Sequence, residues 1–185
     1  MARGLLLAAD GVDASQLEYA YHRLREDAVL VTVASPGGGA VEGLDGRRWS
    51  DTAPFDGLSQ EFDFAIVPGG AAPERLRLEE TAVEWLRRYV RDRGIVGVIG
   101  HGVQLLVSVD ALVGRTVTGP PELRVDLENA GATYTGESVA VDGTFVTARG
   151  TAALPFFVSA TMNNALIPQD PASEAQERPH WKASR

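Results

Sequence analysis

The sequence predicts an α/β sandwich of three layers, a mainly parallel central sheet flanked by helices, and three observations carry that prediction. Short apolar runs without polar alternation recur along the chain, as strands buried on both faces require. Stretches with an apolar residue every three or four positions alternate with them, as amphipathic helices do. The runs end at glycine, proline or aspartate, so connections are short. A chain of 185 residues fits one domain with a full hydrophobic core. Residues 1–167 read as that domain, and 168–185 as a polar, proline-containing tail.

Taken in order, Gly4 to Ala9 is a first buried strand that stops at the turn signal Ala9-Asp10-Gly11. From Asp13 or Ser15 to about Asp27, the stripe Leu17, Tyr21, Leu24 and Ala28 marks a helix. Val29 to Ala34, rich in β-branched residues, is a second strand, ended by Ser35-Pro36 and three glycines. Residues 40–60 are polar and hold a short hairpin or excursion. Phe64 to Val67 is a third strand, broken by Pro68-Gly69-Gly70. Glu79 to Asp92 is a helix with a stripe of Val83, Leu86 and Val90, closed by Gly94. Ile95 to Ile99 is a fourth strand. Gly100-His101-Gly102 follows, then an apolar helix to about Val109. A short strand at Thr116 to Thr118, a helix over Glu122 to Ala130, and a hairpin of Val139 to Val141 and Thr144 to Ala148 turned by Asp142-Gly143 come next. A last helix runs from about Ala152 to Leu166.

Composition removes several functions. A net charge of −8 argues against nucleic acid as a partner. No apolar run is long enough to span a bilayer and the N-terminus lacks a signal-peptide pattern, so a cytoplasmic protein without membrane contact is expected. Cysteine is absent, which excludes disulfides and every thiolate mechanism. Lys182 is the only lysine, so a Schiff base in the body of the fold is excluded too. Three histidines without carboxylates at ligand spacing give no metal site, and no glycine stretch matches a dinucleotide or P-loop pattern, so no cofactor is expected.

In this fold class ligands sit at the carboxyl ends of strands. Three post-strand turns are unusual: Asp10 to Asp13, Gly69 to Arg75, and Gly100 to Gly102. The last is a sharp strand-to-helix elbow, the place where a strained residue usually projects a nucleophile. Here it is Gly100, which keeps the turn without a reactive side chain. The amides that follow can still bind a developing oxyanion.

The segments Ala8-Ala9-Asp10-Gly11, Tyr21-His22-Arg23-Leu24, Val67-Pro68-Gly69-Gly70, Ala72-Pro73-Glu74-Arg75 and Gly100-His101-Gly102 occur in that order. Together they resemble the PfpI branch of the DJ-1/PfpI superfamily, within the class I glutamine amidotransferase-like, flavodoxin-like fold. The resemblance covers about residues 4 to 165. It implies a histidine at His101, an acid after the first strand at Asp13 where glutamate is usual, and a glutamate at Glu74 that some members deliver across a subunit interface. A homodimer or higher homo-oligomer follows from that last position. The family's elbow cysteine maps to Gly100, the tyrosine near Pro120 is missing, and so is the proline-containing turn near Gly150 and Thr151. Gly70, Gly100, Gly102, Pro120 and Thr151 are the positions the resemblance sets around a ligand. Activities that rely on the thiol do not transfer.

Asp13 reads two ways. It is a general acid or base of a pocket, or a helix N-cap in a capping-box-like Asp13-Ala14-Ser15-Gln16. His101 transfers a proton or is a structural relic; Glu74 and Arg75 complete a site or form a surface ion pair. His22 and His180 read as bystanders. The expected function is a cofactor-independent enzyme using acid/base chemistry on a small carbonyl-containing compound: hydration, elimination, ring closure or rearrangement. The alternative is a non-catalytic, metabolite-binding pseudoenzyme with the same pocket.

Overall fold

The computed structural model describes residues 1–166; the expected tail lies outside the described residues. Seven strands form the main sheet: β1 (Arg3–Leu7), β2 (Leu30–Ser35), β5 (Ala53–Pro54), β6 (Phe64–Val67), β7 (Ile95–Ile99), β10 (Val139–Asp142) and β11 (Phe145–Ala148). Their spatial order is β10-β11-β7-β6-β1-β2-β5. All neighbours are parallel except the β10–β11 hairpin. The helices are α1 (Ala14–Glu26), α2 (Ala72–Leu76), α3 (Glu80–Arg91), α4 (Val103–Ser108), α5 (Arg124–Asn129) and α6 (Leu154–Leu166).

The chain steps from β1 outward to β2 but from β6 the other way to β7. Right-handed crossovers therefore send α1 and α3 to opposite faces of the sheet. The reversal between β1 and β6 opens a crevice at their carboxyl ends, the place where such folds bind ligands. Leu5, Leu6, Leu7, Ala65, Ile66, Val67, Val96 and Val98 are almost wholly buried from both sides, which is why these strands carry no polar alternation. At Gly97 on central β7, a Cβ would lie 2.6 Å from Thr161 Oγ1. The missing side chain lets α6 press directly on the sheet.

Several elements depart from expectation. The region 40–60 holds the expected hairpin, of β3 (Val41–Glu42) and β4 (Arg48–Trp49), but adds β5, which joins the sheet edge. A small second sheet pairs β8 (Thr116–Val117) with β9 (Thr133–Tyr134), the latter too short to announce itself. Ala28 is exposed, with φ 58°, just past the end of α1 rather than on its stripe. The buried face of α3 is Ala82, Trp85, Leu86 and Tyr89, with Val83 and Val90 at its margins.

Two aromatics rotate the face of α3 because each reaches a carbonyl as well as the core. Trp85 Nε1 donates to Ser59 O at 3.1 Å and Tyr89 Oη to Phe62 O at 2.9 Å. Burial, with Asp63 adding to it, pushes the Tyr89 phenol above its ordinary pKa, so it stays a neutral donor. α3 is closed by Arg93 at φ 65° rather than by Gly94. Glycine is needed at 94 for room, since a Cβ there would come within 2.3 Å of the Tyr89 ring.

Candidate functional site

Four strand ends build the site, those of β1, β6, β7 and β11. After β1 the chain turns through Gly11, whose amide donates to Glu42 O at 2.7 Å and so ties the β3–β4 hairpin to this loop. Asp13 then caps α1: its Oδ1 accepts from the Gln16 amide at 3.2 Å. After β6, Gly69 O accepts from the Asp13 amide at 3.0 Å, and Gly70 adopts φ 83°. A Cβ at Gly70 would lie 2.4 Å from Gly11 O and 2.5 Å from Asp13 N. Only glycine lets these two loops close on each other.

After β7 comes the elbow, with Gly100 at φ 58° opening a short 3-10 turn, Gly100–Gly102, that runs into α4. The strained conformation is therefore present at the position from which the side chain is missing. A Cβ at Gly100 would meet nothing closer than Gln16 Nε2 and the Gly69 Cα, both at 3.9 Å. The space above the elbow is open.

These loops bound a cavity of about 810 Å³. Asp13, Glu74 and His101 all line it, as do Gly70, Gly100, Pro120 and Thr151. Gly102 is not among the lining residues: it is buried beneath the end of β6, where a Cβ would come within 2.4 Å of Val67 O. Asp13 both caps the helix and faces the cavity, so the two readings of that residue coexist. His101 Nε2 lies 3.9 Å from Glu122 Oε1 of the same chain. Both side chains are more than a third exposed, so this pair adds little to the stability of the fold. Glu74 sits in the first turn of α2, with an exposed side chain at the cavity edge. His22 is exposed on α1, away from the cavity lining; His180 lies outside the described residues.

Sequence reasoning missed Gln16, Glu122 and Arg149, which also line the cavity. Gln16 is only 4% exposed. Its Oε1 accepts from the Gly69 amide at 2.7 Å and its Nε2 donates to Thr151 Oγ1 at 2.9 Å, which in turn donates to Asp13 Oδ2 at 3.4 Å. The signal was a glutamine beside Leu17 on the buried face of an amphipathic helix, where a polar side chain needs internal partners. Glu122 reaches His101 from a 3-10 turn, Pro121–Leu123, that begins with proline. Arg149 is exposed, and its guanidinium has no partner among the described residues. Among those residues no group of three or more histidine or carboxylate side chains converges as a metal site, and no helix is long and apolar enough to cross a membrane.

Comparison with known proteins agrees with this architecture. The deglycase PfpI of Pyrococcus furiosus is 39% identical over 146 residues, covering 78% of this chain and 88% of its own. A deglycase of Pyrococcus abyssi is 39% identical over 148 residues, covering 80% and 89%. Among solved structures, Drosophila melanogaster DJ-1beta superposes with a TM-score of 0.82 at 20% identity, covering 95% of this chain and 96% of that one; at that identity the likeness speaks for the fold. Residues 2–164 match the DJ-1/PfpI family, and the chain belongs to that family.

Proposed function

We propose that this protein is a cofactor-independent enzyme that moves a proton on a small carbonyl-containing molecule. The observation that carries the reading is that Asp13 and His101 face one cavity above an elbow whose reactive position is Gly100. With no cysteine anywhere in the chain, attack by a thiolate is unavailable, and the ionisable groups left at the centre of the cavity are suited to acid/base work. Asp13 takes a proton from carbon beside the substrate carbonyl, or gives one to a leaving oxygen. His101, oriented by Glu122, assists. Amide groups at the elbow favour the oxyanion that forms. Hydration, elimination, ring closure and rearrangement all use this set of steps. The relatives named deglycases support an enzyme on this scaffold; the glycine elbow supports a chemistry other than theirs.

We further propose that the working form is a homodimer or larger homo-oligomer, in which Glu74 of one subunit approaches the site of another. Its exposed position at the cavity edge supports that assignment.

The test is a panel of small aldehydes, ketones and oxo acids incubated with pure protein, with products followed by NMR and each hit repeated with Asp13→Asn. Conversion that falls by roughly 10²-fold or more in the variant supports the reading. Specific binding without conversion for any member would favour the pseudoenzyme instead.

A further inference from the structure

The hydrogen bonds around Gln16 run in one direction. The Gly69 amide can only donate, so the Gln16 atom that meets it at 2.7 Å is the carbonyl oxygen, and the amide orientation is fixed by chemistry. Nε2 therefore faces Thr151 and gives it one hydrogen at 2.9 Å. A carboxamide nitrogen carries two. The second has no acceptor among the described residues, although Gln16 is only 4% exposed. The place it borders is the open space above the elbow, where a Cβ on Gly100 would lie 3.9 Å from that same nitrogen. Gln16 and Gly100 line the cavity together.

A buried donor without an acceptor is costly, and a space beside it is completed by an acceptor atom. We propose that the space over Gly100 is a subsite for an acceptor oxygen, a ligand carbonyl or carboxylate, held by the second N–H of Gln16. The inference rests on the reading of this cavity as the working site and specifies what enters it. Thr151 is committed to Asp13, and the Gly69 amide to Gln16. The group that Gln16 presents to the subsite is thus a donor, which favours an acceptor oxygen there over an ammonium or amidinium. The missing side chain at Gly100 is what makes the room: the oxygen occupies the place that a side chain on the elbow would fill.

The test uses acetone as a neutral carbonyl, acetate as a carboxylate and methylammonium as a donor control, each titrated into the whole protein. The side-chain amide signals of Gln16 are followed by NMR. Affinities for such small probes are expected to be weak, on the order of millimolar. The proposal expects saturable shifts of the Gln16 amide with acetone, acetate or both, which also tells a carbonyl subsite from a carboxylate one, and none with methylammonium. Gln16→Met keeps the length of the side chain but has no N–H, and should weaken probe binding at least about tenfold in a variant that still melts cooperatively. Gly100→Ala fills the space from the opposite side and should weaken binding as much, with the loss of stability that a side chain at φ 58° brings.

Absence of a saturable shift with either acceptor in the unmodified protein overturns the proposal. So does equal response to methylammonium, or undiminished binding by both folded variants. Asp13→Asn should still bind the probes. Probe binding without Asp13-dependent conversion would defeat the proton-transfer reading alone, and conversion without probe binding would defeat the subsite alone.

Discussion

Asp13 holds the backbone amide of Gln16 at 3.2 Å through Oδ1 and turns Oδ2 toward Thr151. One carboxylate thus anchors the start of α1 and borders the cavity. The two roles separate by substitution. Asparagine caps about as well as aspartate, so Asp13→Asn should change stability by no more than a few tenths of a kcal/mol, whereas Asp13→Ala should cost about 1 kcal/mol. Denaturant unfolding of the two variants checks this; equal losses would mean that the cap contributes nothing to stability.

Gly70 closes the β6 loop onto the β1 loop at a distance no side chain fits. Its neighbours there are backbone atoms, Gly11 O at 2.4 Å and Asp13 N at 2.5 Å from a built Cβ, so they cannot rotate aside. Gly70→Ala adds the strain of positive φ to that clash and should destabilise the fold by about 2 kcal/mol or more while displacing Asp13. A melting temperature equal to that of the parent would show that the loops are not locked in this way.

The open space above Gly100 also predicts a gain of chemistry. The unmodified protein, having no cysteine, should show no thiol-dependent deglycation or methylglyoxal conversion. Gly100→Cys should fold, at a cost of about 1–2 kcal/mol for a side chain at φ 58°. It should also take up one equivalent of iodoacetamide, since its Cβ meets only ordinary contacts at 3.9 Å. Mass spectrometry reads the alkylation without interference from another thiol. A native variant that resists alkylation would show that the space is closed.

Glu74 stands exposed at the cavity edge, and the proposed oligomer gives it a role. Sedimentation at micromolar concentration should show a dimer or a larger species. Monomer alone would remove both the assembly and the contribution of Glu74 across it.

Much of this architecture is legible where punctuation is strong. Phe64–Val67 and Ile95–Ile99 match expectation to the residue because Pro68 and the pair Gly94 and Gly100 bound them. The positive φ of Gly100 follows from a glycine held between strand and helix. What escaped is long-range. The face of α3 turns on Trp85 and Tyr89, aromatics whose polar ends find carbonyls 26 and 27 residues away, and an aliphatic stripe does not reveal that. Gln16 joins Gly69 and Thr151, 53 and 135 positions distant in sequence, so its part in the site exists only once the sheet brings three strand ends together.

Proton transfer by Asp13 on a carbonyl compound is the proposed work of the cavity. It is tested most directly by the exchange of α-hydrogens for deuterium in heavy water, followed by NMR on a carbonyl compound that the protein binds. Proton transfer by Asp13 requires exchange catalysed by the unmodified protein and slowed by roughly 10²-fold or more in Asp13→Asn, with a smaller loss in His101→Gln and melting temperatures close to the parent's. Exchange by Asp13→Asn at the parent rate would contradict it and leave the cavity to work through binding alone.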